Sequence, residues 1–103
     1  MRLPVIQRRA ARSVRLTNRV GPAGAVVIGG DAPVSVQSMT NTRTADAEAT
    51  VAQIEELAAA GADVVRVAVP TPADTAALPA ILARASVPIV ADVHFHFQRA
   101  IEA

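Results

Sequence analysis

The sequence predicts an α/β fold in which parallel strands alternate with helices. Apolar, strand-like runs recur along the chain with an amphipathic helical segment between each pair, which is the spacing of βαβ units. Hydrophobic residues make up 51% of the 103 residues and aromatic residues only 2%. Aliphatic side chains must therefore fill the core, as is typical of helices packed on a buried sheet. The length is that of one domain.

A β-hairpin is expected before the first strand–helix unit. Val14–Leu16 and Val26–Ile28 read as two short strands, and Gly21-Pro22 supplies turn residues between them. We assign residues 1–30 to this leading hairpin segment and residues 33–103 to three βα units.

The first βα unit begins with a predicted strand over Val34–Met39. A helix follows, with Thr44 as its expected N-cap and Gly61 as its stop, since glycine adopts a left-handed conformation at low cost. Residues at helical spacing supply its apolar face: Ala47, Val51, Ile54 and Ala58.

The second unit has a nearly continuous apolar strand, Val64–Val69, which is typical of a strand covered on both faces. Its helix should begin with Thr71 as N-cap, and Asp74 stands in the capping-box position. Pro79 falls inside this helix, so we expect a kink or a division into two short turns. The expected buried face consists of Leu78, Ile81 and Leu82.

The third unit contains a predicted strand, Val87–Val93, and the start of a helix over Gln98–Glu102. A complete (β/α)₈ barrel needs about 250 residues, so these units are less than half of one. A small doubly wound sheet fits the length better. However, no G-x-G-x-x-G follows a strand, so the usual nucleotide-binding signal of that fold is missing.

Charge and composition exclude several classes of function. The formal net charge is +1, which argues against a dedicated nucleic-acid binder, and no apolar run reaches the ~20 residues that span a membrane. Six arginines precede the first acidic residue, and we interpret this segment as solvated rather than as an organelle presequence. We expect a cytoplasmic protein without a membrane partner. The absence of cysteine rules out a cluster or disulfide built from this chain alone.

Candidate site residues lie where the predicted strands end, because reactive groups collect at the carboxyl ends of parallel strands. Arg66 stands among valines, and a half-buried guanidinium needs a carboxylate or a phosphate as its partner. Two interpretations stay open: a structural ion pair with Asp92, or a phosphate clamp. Asp92 has the same two interpretations.

His94 and His96 follow Asp92 at the end of the third strand. Because strand side chains alternate between the two faces, all three are expected on the same face. The pair could ligate a metal, but a role of His94 as proton donor or phosphate partner is the stronger hypothesis. The first predicted strand ends in the candidate residues Gln37, Met39 and Asn41. Asn is also an ordinary turn residue, and Met is more often a core residue.

Three segments together closely resemble 4-hydroxy-3-methylbut-2-enyl diphosphate synthases. These are the run from Gly29 to Thr44, with its Ser-Val-Gln-Ser-Met-Thr-Asn-Thr core, the run Gly61–Pro70, and the run Pro88–Phe95. Ile6–Arg9 also matches the usual opening of the family. The likeness extends over nearly the whole chain in the right order and spacing.

The resemblance implies an N-terminal part of a (β/α)₈ TIM barrel, and a C-terminal domain that holds a 4Fe–4S cluster on three Cys and one Glu. It also implies reductive ring opening of 2-C-methyl-D-erythritol 2,4-cyclodiphosphate in isoprenoid precursor synthesis, electrons from flavodoxin or ferredoxin, and a homodimer. Arg66 would hold the diphosphate, and Asp92 and His94 would be catalytic. Four further residues would line the substrate site: Gln37, Met39, Thr40 and Asn41.

The sequence departs from the family pattern in three places. The hairpin turn over residues 18–25 is a few residues longer, Pro79 interrupts a helix, and the cluster domain with five of the barrel strands is absent. We therefore expect a fragment that is inactive alone and binds no cluster. Two alternatives stay open: another barrel enzyme, namely a pterin-binding synthase or a His-x-His metal hydrolase, and a non-catalytic α/β interaction module.

Overall fold

A computed structural model describes residues 11–18, 20–93 and 97–103. An antiparallel hairpin, β1 (Val14–Leu16) and β2 (Val26–Ile28), precedes a parallel sheet in the order β3 (Gln37–Met39), β4 (Val64–Ala68) and β5 (Ile89–Asp92). The helices are α1 (Ala47–Ala59), α2 (Pro72–Arg84) and α3 (Phe97–Glu102). The predicted α/β architecture, a hairpin followed by three parallel βα units, is confirmed.

The core lies between one face of the parallel sheet and the helices α1 and α2. Val65, Val67 and Val69 point to this side and are fully buried, together with Ile54 of α1 and Ile81 of α2. The opposite face of β4 is different, because Arg66 and Ala68 are only half-buried. Val64, on that same face, is 1% exposed, so the expectation that β4 is covered on both faces holds at the start of the strand and is wrong for Arg66 and Ala68.

The first helix begins two residues later than the sequence suggested. Asp46 is its N-cap, and the Asp46 carboxylate accepts a hydrogen bond from the backbone N–H of Ala49 at 3.2 Å. Thr44, the predicted cap, instead donates its hydroxyl to the carbonyl of Ala68 at 2.5 Å. Both residue types cap helices well, so the tertiary contact to β4 decides between them. Gly61 follows the helix end with φ of 111°, as predicted.

The second helix has the predicted start. The Thr71 side chain accepts from the backbone N–H of Asp74 while the Asp74 carboxylate accepts from that of Thr71, so the capping box is confirmed. The prediction that Pro79 could divide the helix is wrong, because α2 is continuous over Pro72–Arg84. Pro79 is exposed, so its ring lies on the side of α2 that faces away from the core. Leu82 is half-buried rather than core.

The strands are shorter than the apolar runs that predicted them. The run Val34–Met39 contributes only Gln37–Met39, and Val34 is 94% exposed. Backbone bonds nevertheless extend the pairing, because the carbonyl of Val36 accepts from the N–H groups of Asp63 and Val64 at 2.8 and 3.2 Å. The third predicted strand, Val87–Val93, is likewise shorter in the structure and extends only over Ile89–Asp92. The helix α3 begins at Phe97.

The hairpin segment contacts the amino-terminal end of the parallel sheet. The side-chain amide of Asn18 donates to the carbonyl of Val87 at 3.3 Å, and its oxygen accepts from the N–H of Ile89 at 2.9 Å. Gly21, with φ of 92°, lies against the backbone of Leu82. These contacts are at the opposite end from the loops that follow β3 and β4.

Candidate functional site

Three predicted site residues meet at the carboxyl-terminal half of the parallel sheet. Met39 stands beside Arg66 in the β3–β4 register, and Ala68 stands beside Asp92 in the β4–β5 register. Residues paired in a parallel register share a face, and residues two apart on a strand also share one. Met39, Arg66 and Asp92 therefore project from the face that α1 and α2 do not cover.

Arg66 forms an ion pair with Asp92. Its Nε lies 3.4 Å from Asp92 Oδ2, and the side chains are 41% and 17% exposed, respectively. Among the described residues Nε makes no hydrogen bond of good geometry, so the contact is electrostatic. Nη2 donates to the sulfur of Met39 at 3.5 Å, which is a weak acceptor. A guanidinium has five N–H donors, so this arrangement leaves donors for a further anion.

The contact confirms the interpretation of Arg66 as an ion-pair partner of Asp92. It leaves the second interpretation, a phosphate clamp, open. Asp92 is the less exposed partner and is the last residue of β5. Arg66 remains two-fifths exposed on the uncovered face. This geometry is that of an arginine paired on one side and open to solvent on the other.

The residues after β3 are placed in different ways. Thr40 is buried, its N–H donates to the carbonyl of Arg66 at 3.1 Å, and its hydroxyl has no hydrogen-bond partner among the described residues. Asn41 is fastened to α1, because its N–H donates to Gln53 Oε1 and its Oδ1 accepts from Gln53 Nε2, both at 2.7 Å. Gln37 is exposed on the face of Met39, two residues nearer the amino-terminal end of the strand.

His94 and His96 lie outside the described residues, so their roles stay predictions. Asp92, the last residue of β5, is two residues before His94 in the sequence.

A cleft of about 450 Å³ opens where the β3–α1 loop meets the start of α2, and neither Arg66 nor Asp92 lines it. Its lining consists of Thr42, Arg43, Thr44, Ala45, Ala68, Pro70, Thr71, Ala73 and Asp74. Sequence reasoning treated Asp74 only as a capping residue. In the structure its Oδ1 also accepts from the N–H of Ala45, at 2.8 Å. No sequence signal pointed to this partner, which lies 29 residues away.

A second ion pair joins the two helices outside the site. Arg84 Nη1 lies 2.6 Å from Glu48 Oε1, and both side chains are exposed. The hydrogen bond from Arg84, together with its positive charge, holds the pKa of the Glu48 carboxyl below its usual range. The same contact raises the pKa of the Arg84 guanidinium, which stays charged in any case.

Comparison with known proteins identifies the architecture. Residues 17–103 match the model of the GcpE TIM-barrel domain. The chain belongs to this family. Over 98 aligned residues it is 57% identical to 4-hydroxy-3-methylbut-2-en-1-yl diphosphate synthase (flavodoxin) of Rhodospirillum rubrum, and 53% identical to the enzyme of the same name from Gluconobacter oxydans. Over 99 residues it is 54% identical to the one from Caulobacter vibrioides.

These matches include 95–96% of this chain but only 24% of each relative. The chain thus spans about a quarter of the length of the curated relatives it matches. The resemblance inferred from the sequence motifs, and the assignment to part of a TIM barrel, are confirmed by membership of the GcpE family.

The residues of this chain do not fit a 4Fe–4S cluster as ligands. Such clusters are held by cysteine thiolates, and the sequence contains no cysteine. The described part of the chain also contains no group of three or more His, Asp or Glu side chains that could hold a metal ion. Across the same residues, no helix is both long enough and apolar enough to cross a membrane.

Proposed function

We propose that this chain forms the first strands of the barrel of a 4-hydroxy-3-methylbut-2-en-1-yl diphosphate synthase, and that its part in the reaction is to hold the diphosphate of the substrate. The observation that carries the proposal is the Arg66–Asp92 pair, half-exposed on the uncovered face of the sheet. The shared name of the relatives, over 50% identity, supports the reaction class.

In this proposal Arg66 binds the phosphate oxygens through its planar donors, which suit a bidentate contact. Asp92 keeps the guanidinium oriented before substrate arrives, because its carboxylate is the more buried of the two partners. Preorganised charge of this kind costs no rearrangement when the anion binds. Thr40 contributes a hydroxyl, Met39 an apolar wall beside Arg66, and Gln37 and Asn41 lie at the border of the site.

The proposed reaction is the reductive ring opening of 2-C-methyl-D-erythritol 2,4-cyclodiphosphate in isoprenoid precursor synthesis. A 4Fe–4S cluster would supply the electrons in the complete enzyme, but none of its ligands comes from this chain, so we assign the chain no electron-transfer step. His94 would donate a proton or contact phosphate near Asp92. The remaining parts of the proposal are flavodoxin as electron donor, as the relatives' name indicates, assembly as a homodimer, and a cytoplasmic location.

A chimera tests the proposal. The aligned 98 residues of the Rhodospirillum rubrum enzyme are replaced by those of this chain, which are 57% identical. We expect the chimera to form 4-hydroxy-3-methylbut-2-enyl diphosphate with reduced flavodoxin, and we expect Arg66→Ala in the chimera to lose most of its affinity for the substrate.

The matched control is Arg84→Ala, which removes the same charge at the far end of α2. A folded, cluster-loaded chimera without turnover would contradict the proposal. Equal effects of the two arginine substitutions on substrate affinity would contradict the role of Arg66.

A further inference from the structure

The carboxylate of Asp74 links two consecutive βα units at the carboxyl-terminal end of the sheet. Its Oδ2 accepts from the N–H and the hydroxyl of Thr71, at 3.0 and 2.6 Å, which is the capping box of α2. Its Oδ1 accepts from the N–H of Ala45 at 2.8 Å. Asp74 is only 5% exposed, although aspartate is rarely buried unless its oxygens are bonded.

The β3–α1 loop, residues 40–46, is held at three points, two on β4 and one on α2. The N–H of Thr40 donates to the carbonyl of Arg66 at 3.1 Å, and the hydroxyl of Thr44 donates to the carbonyl of Ala68 at 2.5 Å. The bond from Ala45 to Asp74 is the third and the only one of these that uses a charged acceptor. Hydrogen bonds to charged groups are stronger than neutral ones, so this contact contributes more than a backbone bond does.

The start of α2 is not available to an external anion. A helix amino terminus attracts negative charge, but here the chain's own carboxylate already occupies that position. The Asp74 carboxylate thus closes one side of the cleft. The positive end of α2 stabilises this carboxylate, which holds the loop through Ala45, rather than a ligand.

We infer that Asp74 is a positioning residue that sets the β3–α1 loop, and with it Thr40, against the strand that carries Arg66. This inference rests on the proposed function, in which that loop borders the diphosphate site. Asp74 does not touch the substrate. It acts through Ala45, so its loss should loosen the loop and weaken diphosphate binding while leaving the chemical step unchanged.

The test compares Asp74→Asn with Thr71→Ala in the chimera with the Rhodospirillum rubrum enzyme. Asn has the same size but only one acceptor oxygen, so it cannot accept hydrogen bonds from both Thr71 and Ala45 through separate oxygens. Thr71→Ala removes the capping hydroxyl and leaves the Asp74–Ala45 bond in place. The readouts are amide exchange at Ala45, the dissociation constant of inorganic diphosphate, and KM against kcat.

For Asp74→Asn we expect amide exchange at Ala45 about tenfold faster, inorganic diphosphate bound about five- to tenfold more weakly, and KM raised with kcat unchanged. For Thr71→Ala we expect the Ala45 amide and the diphosphate affinity to stay as in the unsubstituted chimera. Equal effects of the two variants would overturn the inference, because Asp74 would then be only a helix cap. A chimera without turnover would count against the proposed function, whereas Ala45 exchange would still decide the role of Asp74.

Discussion

Nε of Arg66 and Oδ2 of Asp92 lie 3.4 Å apart across the neighbouring parallel strands β4 and β5. The pair is at the carboxyl-terminal end of the sheet on the face that the helices leave uncovered, where (β/α)₈ barrels place their reactive groups. Arg66 is 41% exposed and Asp92 17% exposed. The proposed function gives the guanidinium of Arg66 the role of binding the diphosphate from this position.

The first prediction concerns the shape of the Arg66 donor group. Arg66→Lys keeps the positive charge but loses the planar pair of N–H donors that fits phosphate oxygens. We expect substrate affinity in the chimera to fall by about 5- to 150-fold, corresponding to roughly 1–3 kcal/mol. Calorimetric titration with the substrate checks this, with Arg84→Lys as the control. Unchanged affinity in Arg66→Lys would leave Arg66 a purely structural role.

The second prediction separates the two possible roles of Asp92. If Asp92 takes part in proton transfer, Asp92→Asn should lower kcat by about 100-fold with a smaller change in KM. Steady-state kinetics of the chimera distinguish this from a rise in KM alone, which would mean that Asp92 acts only by orienting Arg66. Glu56→Gln, an exposed carboxylate on α1, serves as the control and should alter neither constant.

The fold was largely predictable from the sequence because its signals are local. The capping box of Thr71 and Asp74, the stop at Gly61 and the apolar runs of the strands all act within a few residues. Thr44 and Asp46 show the limit of this reasoning. Either could cap α1, and a hydrogen bond to Ala68, 24 residues away, takes Thr44 into another contact.

The candidate site was less predictable, because it depends on contacts between distant segments. Strand alternation placed Arg66 and Asp92 at the same end of the sheet, and their pairing follows from the register. Nothing in the sequence indicated that Gln53 would engage the carboxamide of Asn41, or that Asp74 would reach Ala45. The family resemblance added the chemistry of the substrate, which geometry alone does not contain.

The third prediction uses two glycines of the hairpin segment. A Cβ at Gly21 would overlap the carbonyl oxygen of Leu82, and φ is 92°, so Gly21→Ala should be destabilising by at least roughly 1–2 kcal/mol. A Cβ at Gly24 meets no atom of the described residues within 4 Å, so Gly24→Ala is the matched control. Amide exchange at Ile89, whose N–H bonds to Asn18, should accelerate only in Gly21→Ala. Equal exchange in both variants would mean that the hairpin segment does not pack on α2.

The fourth prediction concerns the pH dependence of the Glu48–Arg84 pair. The pKa of Glu48 is lower in the folded chain than in the unfolded one, so the pair stabilises the fold above the unfolded pKa of about 4.3 and loses this effect as the pH falls through the lowered value. Glu48→Gln should therefore lower the melting temperature of the chimera slightly at pH 7. The difference in melting temperature between Glu48→Gln and the unsubstituted chimera should decrease in acid. Glu56→Gln removes the same charge without touching the pair. A Glu48→Gln effect that grew in acid would contradict this assignment.

The last prediction concerns a protein made of these 103 residues alone. Among the described residues, β3 and β5 each pair with β4 on one side only, so both outer edges of the parallel sheet present backbone groups without a strand partner. Edges of this kind promote association with other strands. The uncovered sheet face adds to this effect, since Met39 is 41% exposed there. We therefore expect the 103-residue protein to be marginally stable and to self-associate, or to bind a fragment that supplies the remaining strands.

The chimera should stay at the size of its folded assembly, because its barrel edges are paired. Size-exclusion chromatography with a denaturant titration checks this. A monomer with one sharp, cooperative transition would mean that the leading hairpin and α3 close the sheet by themselves, and would favour an independent α/β module over a barrel segment.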